Sequence, residues 1–361
     1  MCGANGSRQS AGKGKDLVQA LRELTSMRVG GVPASITVCT TREDLIAKAQ
    51  AIWATGEDWI ALGGGTNLVF AEDVSNLHVI HVKTSGIEKT KTDGKQVWKI
   101  QAGVDWDELV AESVAAGLAG IEGMSGIPGT CGAAPVQNIG AYGQELSDVF
   151  LRAEFLDYES GELVILEPRD LKFGYRDSAI KAGRSGIITW IELELIDLEG
   201  LSRPLYSGQI AGALNSEMGK HVSLKDVRDS VLKLRSAKGM VLDPADPNSV
   251  SCGSFFTNPI VSDSFARTIS SDAPKWETQE DDGLTVKLSA AWLIEQAGIG
   301  KGFCLPGSNA AISSKHALAI VNKGGATGEQ IAELARFIQE RVAAKFGINL
   351  APEPNLIGFS V

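Results

Sequence analysis

The hydrophobic positions of this chain follow two periods, and each period predicts its own kind of element. Apolar residues at helical spacing on one face predict the helices that start at Ser223 and Thr327, and capping side chains predict those that start at Thr40 or Thr41 and at Asp105. A further short helix is predicted over Ser289–Gln296. Short apolar or alternating runs predict strands at Trp59–Leu62, His78–Lys83, Val97–Ala102, Val149–Tyr158, Leu163–Leu166, Ile187–Ile196 and Ala317–Asn322. Because helices and strands do not alternate strictly, the pattern favours an α+β fold over a doubly wound sheet.

Length and local composition predict more than one domain. The 361 residues exceed one ordinary core, and the character of the sequence changes beyond Gly200, so a boundary is expected near residues 200–220. No internal repeat is evident. The first 15 residues are rich in Gly, Ser and Lys without an apolar core, which predicts a disordered head and not a secretory signal.

Charge and cysteine content narrow the class of partner. The chain has 43% hydrophobic residues, a mean hydropathy of +0.02 and a net charge of -10, which predict a soluble globular protein without a nucleic-acid or membrane partner. The cysteines have no metal-ligand spacing, so no metal site is expected and reduced thiols in a cytoplasm are favoured. They are Cys2, Cys39, Cys131, Cys252 and Cys304.

Two glycine-rich loops are candidates for a nucleotide-type cofactor. Gly63–Asn67 reads GGGTN after a predicted strand and offers bare backbone N–H groups to a pyrophosphate, although a triple glycine is often only a structural turn. It is not a GxGxxG fingerprint, because Leu68 occupies the sixth position. The second loop, Gly123–Gly143, is long, apolar and uncharged, which favours a functional loop over a disordered one. Together the loops favour a bound nucleotide cofactor over a structural role.

The segment Cys252–Pro259, which reads CGSFFTNP, places Ser254 between a glycine and two aromatic residues. Rigid neighbours that shield the hydroxyl from water suit a proton donor, whereas the plain structural alternative is a serine that caps a turn. Cys252 is expected to be buried and inert.

Five motifs in this order cover most of the chain: GGGTN, GIPGTCGAAPVQNIGAYGQE, FGYRDS, GSFFTNP and PEPNLIG. Together they resemble the UDP-N-acetylenolpyruvoylglucosamine reductases, flavoenzymes that complete UDP-N-acetylmuramate in bacterial peptidoglycan synthesis. The resemblance implies FAD as cofactor, NADPH as hydride donor, UDP-N-acetylglucosamine enolpyruvate as substrate and a monomeric cytoplasmic enzyme.

The resemblance also implies a domain plan. An FAD-binding domain of the vanillyl-alcohol-oxidase type would span residues 16–200, with lobes at about 28–85 and 86–200. Residues 201–222 would form a linker and substrate loop, and residues 223–361 a smaller α+β substrate-binding domain.

Site residues carry over position by position. The resemblance implies Ser254 as proton donor, with Arg176 and Glu353 as its catalytic partners. It implies cofactor contacts from Gly63, Gly64, Gly65, Thr66, Asn67, Gly126, Ile127, Pro128, Gly129, Thr130, Gly132, Ala133, Gln137, Asn138, Gly140, Ala141 and Tyr142. It implies substrate contacts from Tyr175, Tyr206, Lys238, Asn258 and His316.

The residues alone leave plainer readings open. Arg176 could form a structural ion pair with Asp177. The side chains of Glu353 and Lys238 could simply be solvated, and His316 could be a residue at the end of a strand. The segment Arg203–Gly208 resembles the substrate loop of the extended-loop branch of the family and favours that branch. Its tyrosine, Tyr206, stands one place earlier relative to the glycine than in that branch, so its assignment to the substrate loop stays open.

Two other functions compete with the reductase. One is a flavin oxidase of the same fold, for which Cys131 is the thiol that could hold the flavin covalently. The other is a nucleotide-binding regulator without catalysis, against which the presence of Arg176, Ser254 and Glu353 speaks.

Overall fold

The computed structural model describes residues 19–92, 95–280 and 283–359; the predicted head at residues 1–15 lies outside them. The strands are β1 (Ser35–Cys39), β2 (Trp59–Leu62), β3 (Leu68–Phe70), β4 (His78–Val82), β5 (Ile87–Thr92), β6 (Lys95–Gln101), β7 (Leu118–Ala119), β8 (Gly140–Ala141), β9 (Gln144–Glu145), β10 (Phe150–Asp157), β11 (Leu163–Leu166), β12 (Gly186–Asp197), β13 (Ile260–Ser262), β14 (Lys275–Glu280), β15 (Gly283–Leu288), β16 (Ala310–Ile312), β17 (Ile320–Asn322) and β18 (Asn355–Ile357). The helices are α1 (Arg42–Trp53), α2 (Trp106–Ala115), α3 (Pro168–Leu171), α4 (Gly208–Ala213), α5 (Leu224–Ala237), α6 (Asp263–Ala266), α7 (Ala290–Gln296) and α8 (Gly328–Phe346).

A small parallel sheet in the order β1-β4-β2 carries the first glycine loop at the end of β2. Strand β4 is buried along most of its length, as expected for a central parallel strand covered on both faces. Helix α1 begins after Thr41, whose hydroxyl accepts the N–H of Asp44 at 3.2 Å, and buries Leu45 and Ala49. The cap predicted at Thr40 or Thr41 is therefore present at Thr41.

The second sheet is antiparallel, in the order β11-β10-β12-β6-β5, and it supports the second glycine loop. Trp98, Ile100, Phe155 and Ile191 lie in its buried core, together with residues of α2. Asp105 caps α2 by accepting the N–H of Glu108 at 3.0 Å. The second glycine loop follows β7, which pairs with β12, and the N–H of its Gly132 donates to the carbonyl of Ala102, directly after β6, at 2.8 Å. These contacts hold the loop backbone next to the sheet.

The C-terminal part combines the β13-β15-β14 sheet and the β16-β17 pair with helices α7 and α8. Phe255 and Phe256, beside Ser254, are buried in its core. The prediction of a strand over Ala317–Asn322 was too long, because β17 begins only at Ile320. His316 instead stabilises a turn before β17. Its carbonyl accepts the N–H of Ala319 at 3.2 Å, and its Nδ1 accepts the N–H of Leu318 at 3.2 Å.

Both ends of the described chain cross the predicted domain boundaries. Met27 and Val29 pack in the C-terminal core, where the side-chain amide of Asn322 donates to the carbonyl of Met27 at 3.1 Å. Strand β18 pairs in parallel with β3, directly after the first glycine loop. The domain limits stay a prediction, but this crossing brings the PEPNLIG segment to the glycine loops.

Candidate active site

The two glycine loops and the C-terminal segment enclose a cavity of about 720 Å³. This volume lies in the range of small-molecule and cofactor sites, about 300–1,000 Å³. Fifteen of the residues expected at the site line it: Gly63, Gly64, Gly65, Thr66, Asn67, Ile127, Pro128, Gly129, Thr130, Ala133, Gln137, Gly140, Arg176, Ser254 and Glu353. The three expected catalytic residues, distant in sequence, therefore meet at one cavity.

The two glycine loops touch through their backbones. A Cβ on Gly64 would lie 2.8 Å from Cα of Gly129, and one on Gly63 would lie 2.3 Å from the hydroxyl oxygen of Thr130. Across the same contact the Thr66 hydroxyl donates to the carbonyl of Pro128 at 3.1 Å. No other residue type allows this approach, so the glycines are needed for packing as well as for exposing bare backbone on the cavity wall.

Amide side chains connect the loops to the C-terminal segment. The amide of Asn67 donates to the side-chain oxygen of Gln137 and, at 3.2 Å, to the carbonyl of Glu353. Gln137 in turn donates to the Glu353 carboxylate at 3.3 Å. Both amides thus help to orient Glu353 at the cavity.

Five residues of the second loop that we expected at the cofactor do not line the cavity: Gly126, Gly132, Asn138, Ala141 and Tyr142. Asn138 is buried, donates to Glu145 and to the Gly174 carbonyl at 3.1 Å each, and accepts the N–H of Ser147 at 3.0 Å. Gly132 packs tightly against Ala102. Asn138 and Gly132 therefore stabilise the loop through contacts with other parts of the protein, a role that their position in a motif does not distinguish from ligand contact.

Arg176 has a left-handed backbone, with φ of 55°, which is uncommon for a residue that bears a Cβ. Its guanidinium donates to the carbonyl of Asn138 at 3.4 Å and to that of Gly140. Its Nε lies 3.6 Å from the carboxylate of Glu353, whereas Asp177 accepts the N–H of Ser178. The alternative pairing of Arg176 with Asp177 is therefore wrong.

Glu353 is held by its backbone as well as by its charge. Its N–H donates to the carbonyl of Phe255 at 2.9 Å, and Pro352 bridges to Phe256. Its side chain is only 16% exposed, so the alternative of a solvated residue is wrong. Burial raises the pKa of this carboxyl, and the positive charges of Arg176 and Lys181 partly offset the effect.

The backbone on both sides of Ser254 has a defined conformation. Gly253 has a φ of 73°, which makes the turn before the serine, and the N–H of Phe255 donates to the carbonyl of Leu318 at 2.7 Å. Within the described part of the chain no hydrogen bond occupies the Ser254 hydroxyl, which remains available to a ligand. The neighbouring Cys252 was expected to be buried, but it is half-buried and lines the cavity. It donates to the Leu68 carbonyl, and burial raises the pKa of its thiol to about 12, which disfavours the reactive thiolate.

The five expected substrate residues lie outside the cavity lining. Asn258 accepts the N–H of Ala290 at 3.0 Å, and Lys238 donates to Gln209 at 3.0 Å. Burial, with Arg235 nearby, lowers the pKa of Lys238.

His316 and the two tyrosines complete this set. Burial, followed by the charges of Lys238 and Lys301, lowers the pKa of His316 to about 4, so the imidazole is neutral near pH 7. Tyr175 lies beneath the Arg176 guanidinium, 5.3 Å from ring centre to Cζ. Tyr206 is 57% exposed and packs its backbone against Gly143.

Two cations at the cavity were missed by sequence reasoning. Arg235 donates to the carbonyl of Met240 at 2.9 Å, while its buried Nε has no partner among the described residues. Burial lowers its pKa. Lys181 contacts the backbone of both Arg176 and Glu353. The available signals were weak: Arg235 lies in the last turn of α5, three residues before Lys238, and Lys181 lies five residues after Arg176.

Comparison with known proteins places this site in a family. Residues 33–167 match the FAD binding domain family, and residues 244–357 match the family described as UDP-N-acetylenolpyruvoylglucosamine reductase, C-terminal domain. A UDP-N-acetylenolpyruvoylglucosamine reductase of Leifsonia xyli subsp. xyli is 48% identical over 373 residues, with 95% of this chain and 99% of the relative covered. The chain belongs to the UDP-N-acetylenolpyruvoylglucosamine reductase family.

Further relatives agree with this assignment. The UDP-N-acetylenolpyruvoylglucosamine reductase of Mycobacterium tuberculosis (strain ATCC 25618 / H37Rv) is 42% identical over 354 residues, covering 94% of each chain. The crystal structure of the Thermus caldophilus reductase is 25% identical and superposes with a TM-score of 0.63, covering 94% of this chain and 97% of that one. The predicted family and the predicted α+β fold with an FAD-binding domain and a separate C-terminal domain are confirmed.

Other properties of the described residues bear on the alternatives. Cys131 is fully buried in the core, away from the cavity lining, so the thiol considered for a covalent flavin does not reach the site. Within residues 19–92, 95–280 and 283–359, no three His, Cys, Asp or Glu side chains are grouped as metal ligands would be. In the same ranges, no helix has the length and apolar character that crossing a bilayer requires.

Proposed function

We propose that this chain reduces UDP-N-acetylglucosamine enolpyruvate to UDP-N-acetylmuramate in peptidoglycan synthesis, using FAD and NADPH. The observation that carries the proposal is the meeting of Arg176, Ser254 and Glu353 at the cavity lined by the two glycine loops. Family membership supports the same activity.

The cavity residues fit an FAD. Glycines 63, 64 and 129 expose backbone along the wall, which suits a diphosphate, and the cation Arg235 lines the same cavity. The FAD, when bound, supplies the hydride that it receives from NADPH. We assign Gly63–Asn67, Ile127–Thr130, Ala133, Gln137 and Gly140 to its contacts.

Arg176 is assigned to the negative charge that develops on the substrate. Hydride addition to the vinyl carbon leaves charge on the adjacent carbon and its carboxylate, and a guanidinium can bind a carboxylate in bidentate geometry. Because Arg176 is already held by the Asn138 and Gly140 carbonyls, it does not have to reorganise during the reaction.

Ser254 is assigned as the donor of the proton that completes the reduction. A serine hydroxyl is a weak acid, so it can protonate only a strong base such as the carbanion-like carbon next to the carboxylate. The buried Phe255 and Phe256 limit water at this point. Glu353, 3.6 Å from Arg176, is assigned to orient these groups and to balance the charge.

Substrate contacts are proposed for the polar residues around the cavity. Lys238 and His316 are close enough for the lysine charge to lower the pKa of the histidine, and Lys238 suits a diphosphate. Tyr175, Asn258 and Tyr206 would contact the rest of the UDP-sugar. We further propose a monomeric enzyme in the cytoplasm, a compartment with which the unpaired thiols of Cys39, Cys131, Cys252 and Cys304 agree.

The proposed activity is tested by an absorbance spectrum followed by a coupled assay. The purified protein is expected to show the visible bands of an oxidised flavin and to oxidise NADPH faster when UDP-N-acetylglucosamine enolpyruvate is added. A colourless protein, or NADPH oxidation indifferent to that substrate, would contradict the proposal.

The role of Ser254 is tested by separating the two half-reactions. Ser254→Ala is expected to leave flavin reduction by NADPH nearly unchanged and to slow reoxidation by the substrate by orders of magnitude. Ser264→Ala, at an exposed serine on α6, is the matched control and should leave both rates unchanged. If both half-reactions of Ser254→Ala fall together, the serine is structural.

A further inference from the structure

One lysine joins the two charged residues of the proposed catalytic site. The ammonium of Lys181 donates to the backbone carbonyl of Arg176 at 3.0 Å and to that of Glu353 at 3.4 Å, and Lys181 and Glu353 are 172 positions apart in sequence. The same lysine lines the cavity. It therefore connects the YRDS turn to the PEPNLIG segment at the point where their side chains meet.

The backbone of Lys181 is itself held against the second glycine loop, Gly123–Gly143. The hydroxyl of the buried Ser178 donates to the carbonyl of Val136 at 2.6 Å and accepts the N–H groups of Ile180 and Lys181 at 3.2 and 3.3 Å. Ile180 packs against the main core. The ammonium thus extends from a rigid turn, so that it constrains its two carbonyl partners instead of following them.

Both carbonyls belong to residues that need such a constraint. Arg176 has the left-handed backbone described above, which is strained for a residue with a Cβ and persists only when its surroundings hold it. Glu353 lies on a short segment near the end of the described chain. One donor that binds both backbones holds the two side chains at the 3.6 Å separation of their ion pair.

Charge adds to this geometry. The groups that face the Glu353 carboxylate are Arg176, Lys181, the hydroxyl of Tyr175 and the thiol of Cys252. Burial raises the pKa of Glu353, while the two cations lower it. Removal of the Lys181 charge should therefore raise the pKa of Glu353 further.

We propose that Lys181 is a positioning residue, which holds Arg176 and Glu353 together through their backbone carbonyls and places a positive charge beside the Glu353 carboxylate. This inference rests on the roles proposed above for Arg176 and Glu353. It concerns the half-reaction with the enolpyruvyl substrate and not the reduction of the flavin.

The test compares Lys181→Met, Lys181→Arg and Lys323→Met in the flavin-loaded enzyme. Lys323 is exposed, makes no side-chain hydrogen bond or ion pair within the described residues and serves as the control. Flavin reduction by NADPH and reoxidation by UDP-N-acetylglucosamine enolpyruvate are followed separately, across pH, by flavin absorbance.

Lys181→Met is expected to slow reoxidation by about tenfold to a hundredfold, the usual effect of losing hydrogen bonds from a charged group, with flavin reduction nearly unchanged. The reoxidation rate should change with pH where Glu353 titrates, and this part of the pH profile, the Glu353 limb, should move to higher pH. Lys181→Arg, which keeps a cation and its donors, should retain the wild-type limb. In a Glu353→Gln background the movement should vanish.

Three results would overturn the inference. One is an unchanged rate and pH limb in Lys181→Met; another is a limb that moves as far in Lys181→Arg as in Lys181→Met; the third is a movement that persists with Glu353→Gln. If Lys181→Met is isolated without flavin, Lys181→Arg decides: a wild-type limb supports the inference and a moved limb refutes it. A wild-type enzyme that does not reduce the substrate would instead contradict the proposed function.

Discussion

The N–H of Glu353 donates to the carbonyl oxygen of Phe255 at 2.9 Å, which fixes the side-chain carboxylate of Glu353 beside the loop that bears Ser254. A second bond runs from the N–H of Thr257 to the carbonyl of Ala351 at 3.0 Å, so the two segments are paired over several residues. The proposed proton donor and its charged partner are thus coupled through backbone, and side-chain substitutions at either position should leave the pairing intact.

Glu353→Gln keeps this backbone pairing and the side-chain shape but removes the charge. Reoxidation of the flavin by substrate is expected to fall by about a hundredfold, in the range found when one preorganised polar group is lost from an active site. Flavin reduction by NADPH should change little. Glu340→Gln, at an exposed position of α8, is the control in the same rapid-mixing experiment. Equal rates in Glu353→Gln and the control would exclude a catalytic role for the carboxylate.

The ion pair between Asp107 of α2 and Arg228 of α5 docks α5 onto α2; α5 bears Arg235 and is followed by Lys238. Two bonds of 2.6 and 2.9 Å join the pair, and Asp107 also accepts the N–H of Gly126 at 2.6 Å. Asp107→Asn should therefore lower the free energy of unfolding by about 1.5–3 kcal/mol and raise the KM for the UDP-sugar.

Urea unfolding and steady-state kinetics measure the two effects of Asp107→Asn. The control is Lys225→Gln, which breaks the exposed pair with Asp229 on the same helix and should cost about 0.5 kcal/mol or less. A loss no larger than that of the control would show that the Asp107–Arg228 pair does not hold α5 in place.

Gly64→Ala should separate the two glycine loops, because its Cβ would lie 2.8 Å from Cα of Gly129 and neither backbone can yield without the other. Loss of bound flavin on gel filtration, measured by the ratio of visible to ultraviolet absorbance, is the expected result. Gly300→Ala meets no atom within 4 Å and should retain the flavin. Full flavin content in Gly64→Ala would mean that the loops can move apart at little cost.

His81 and His316 predict that stability declines in acid. The pKa of each is lowered to about 4, by burial first and then by neighbouring positive charge, whereas the unfolded imidazole titrates near 6.5. Between about pH 4 and 6.5 the unfolded chain binds more protons, so the free energy of unfolding rises with pH across this window.

At pH 5 each histidine should contribute about 1–2 kcal/mol of lost stability relative to pH 7. The raised pKa of Glu353 acts in the opposite sense, so the comparison is made between variants. Urea unfolding of His81→Gln and His316→Gln at pH 5 and pH 7 should each show a smaller difference than wild type. An equal difference in all three proteins would contradict the buried neutral state.

Much of the local structure could be predicted from sequence because its causes are local. The caps at Thr41, Asp105, Ser223 and Thr327 accept N–H groups three residues on, and the apolar faces behind them are buried. The strand predicted from Ala317 failed because the His316 turn depends on bonds to its ring and carbonyl, which periodicity does not report. Motif residues such as Asn138 were predicted in the right loop, but in the structure Asn138 is buried and does not line the cavity.

The sequence by itself determined the family, the order of the motifs and the identity of the three residues proposed for catalysis, because each is recorded in a short contiguous pattern. Only the tertiary structure decided that Arg176 pairs with Glu353 and not with Asp177, and that β18 returns to β3. It also decided that Lys181 and Arg235 reach the cavity. These are contacts between residues distant along the chain, and their geometry follows from how the sheets and cores pack, which no local spacing encodes.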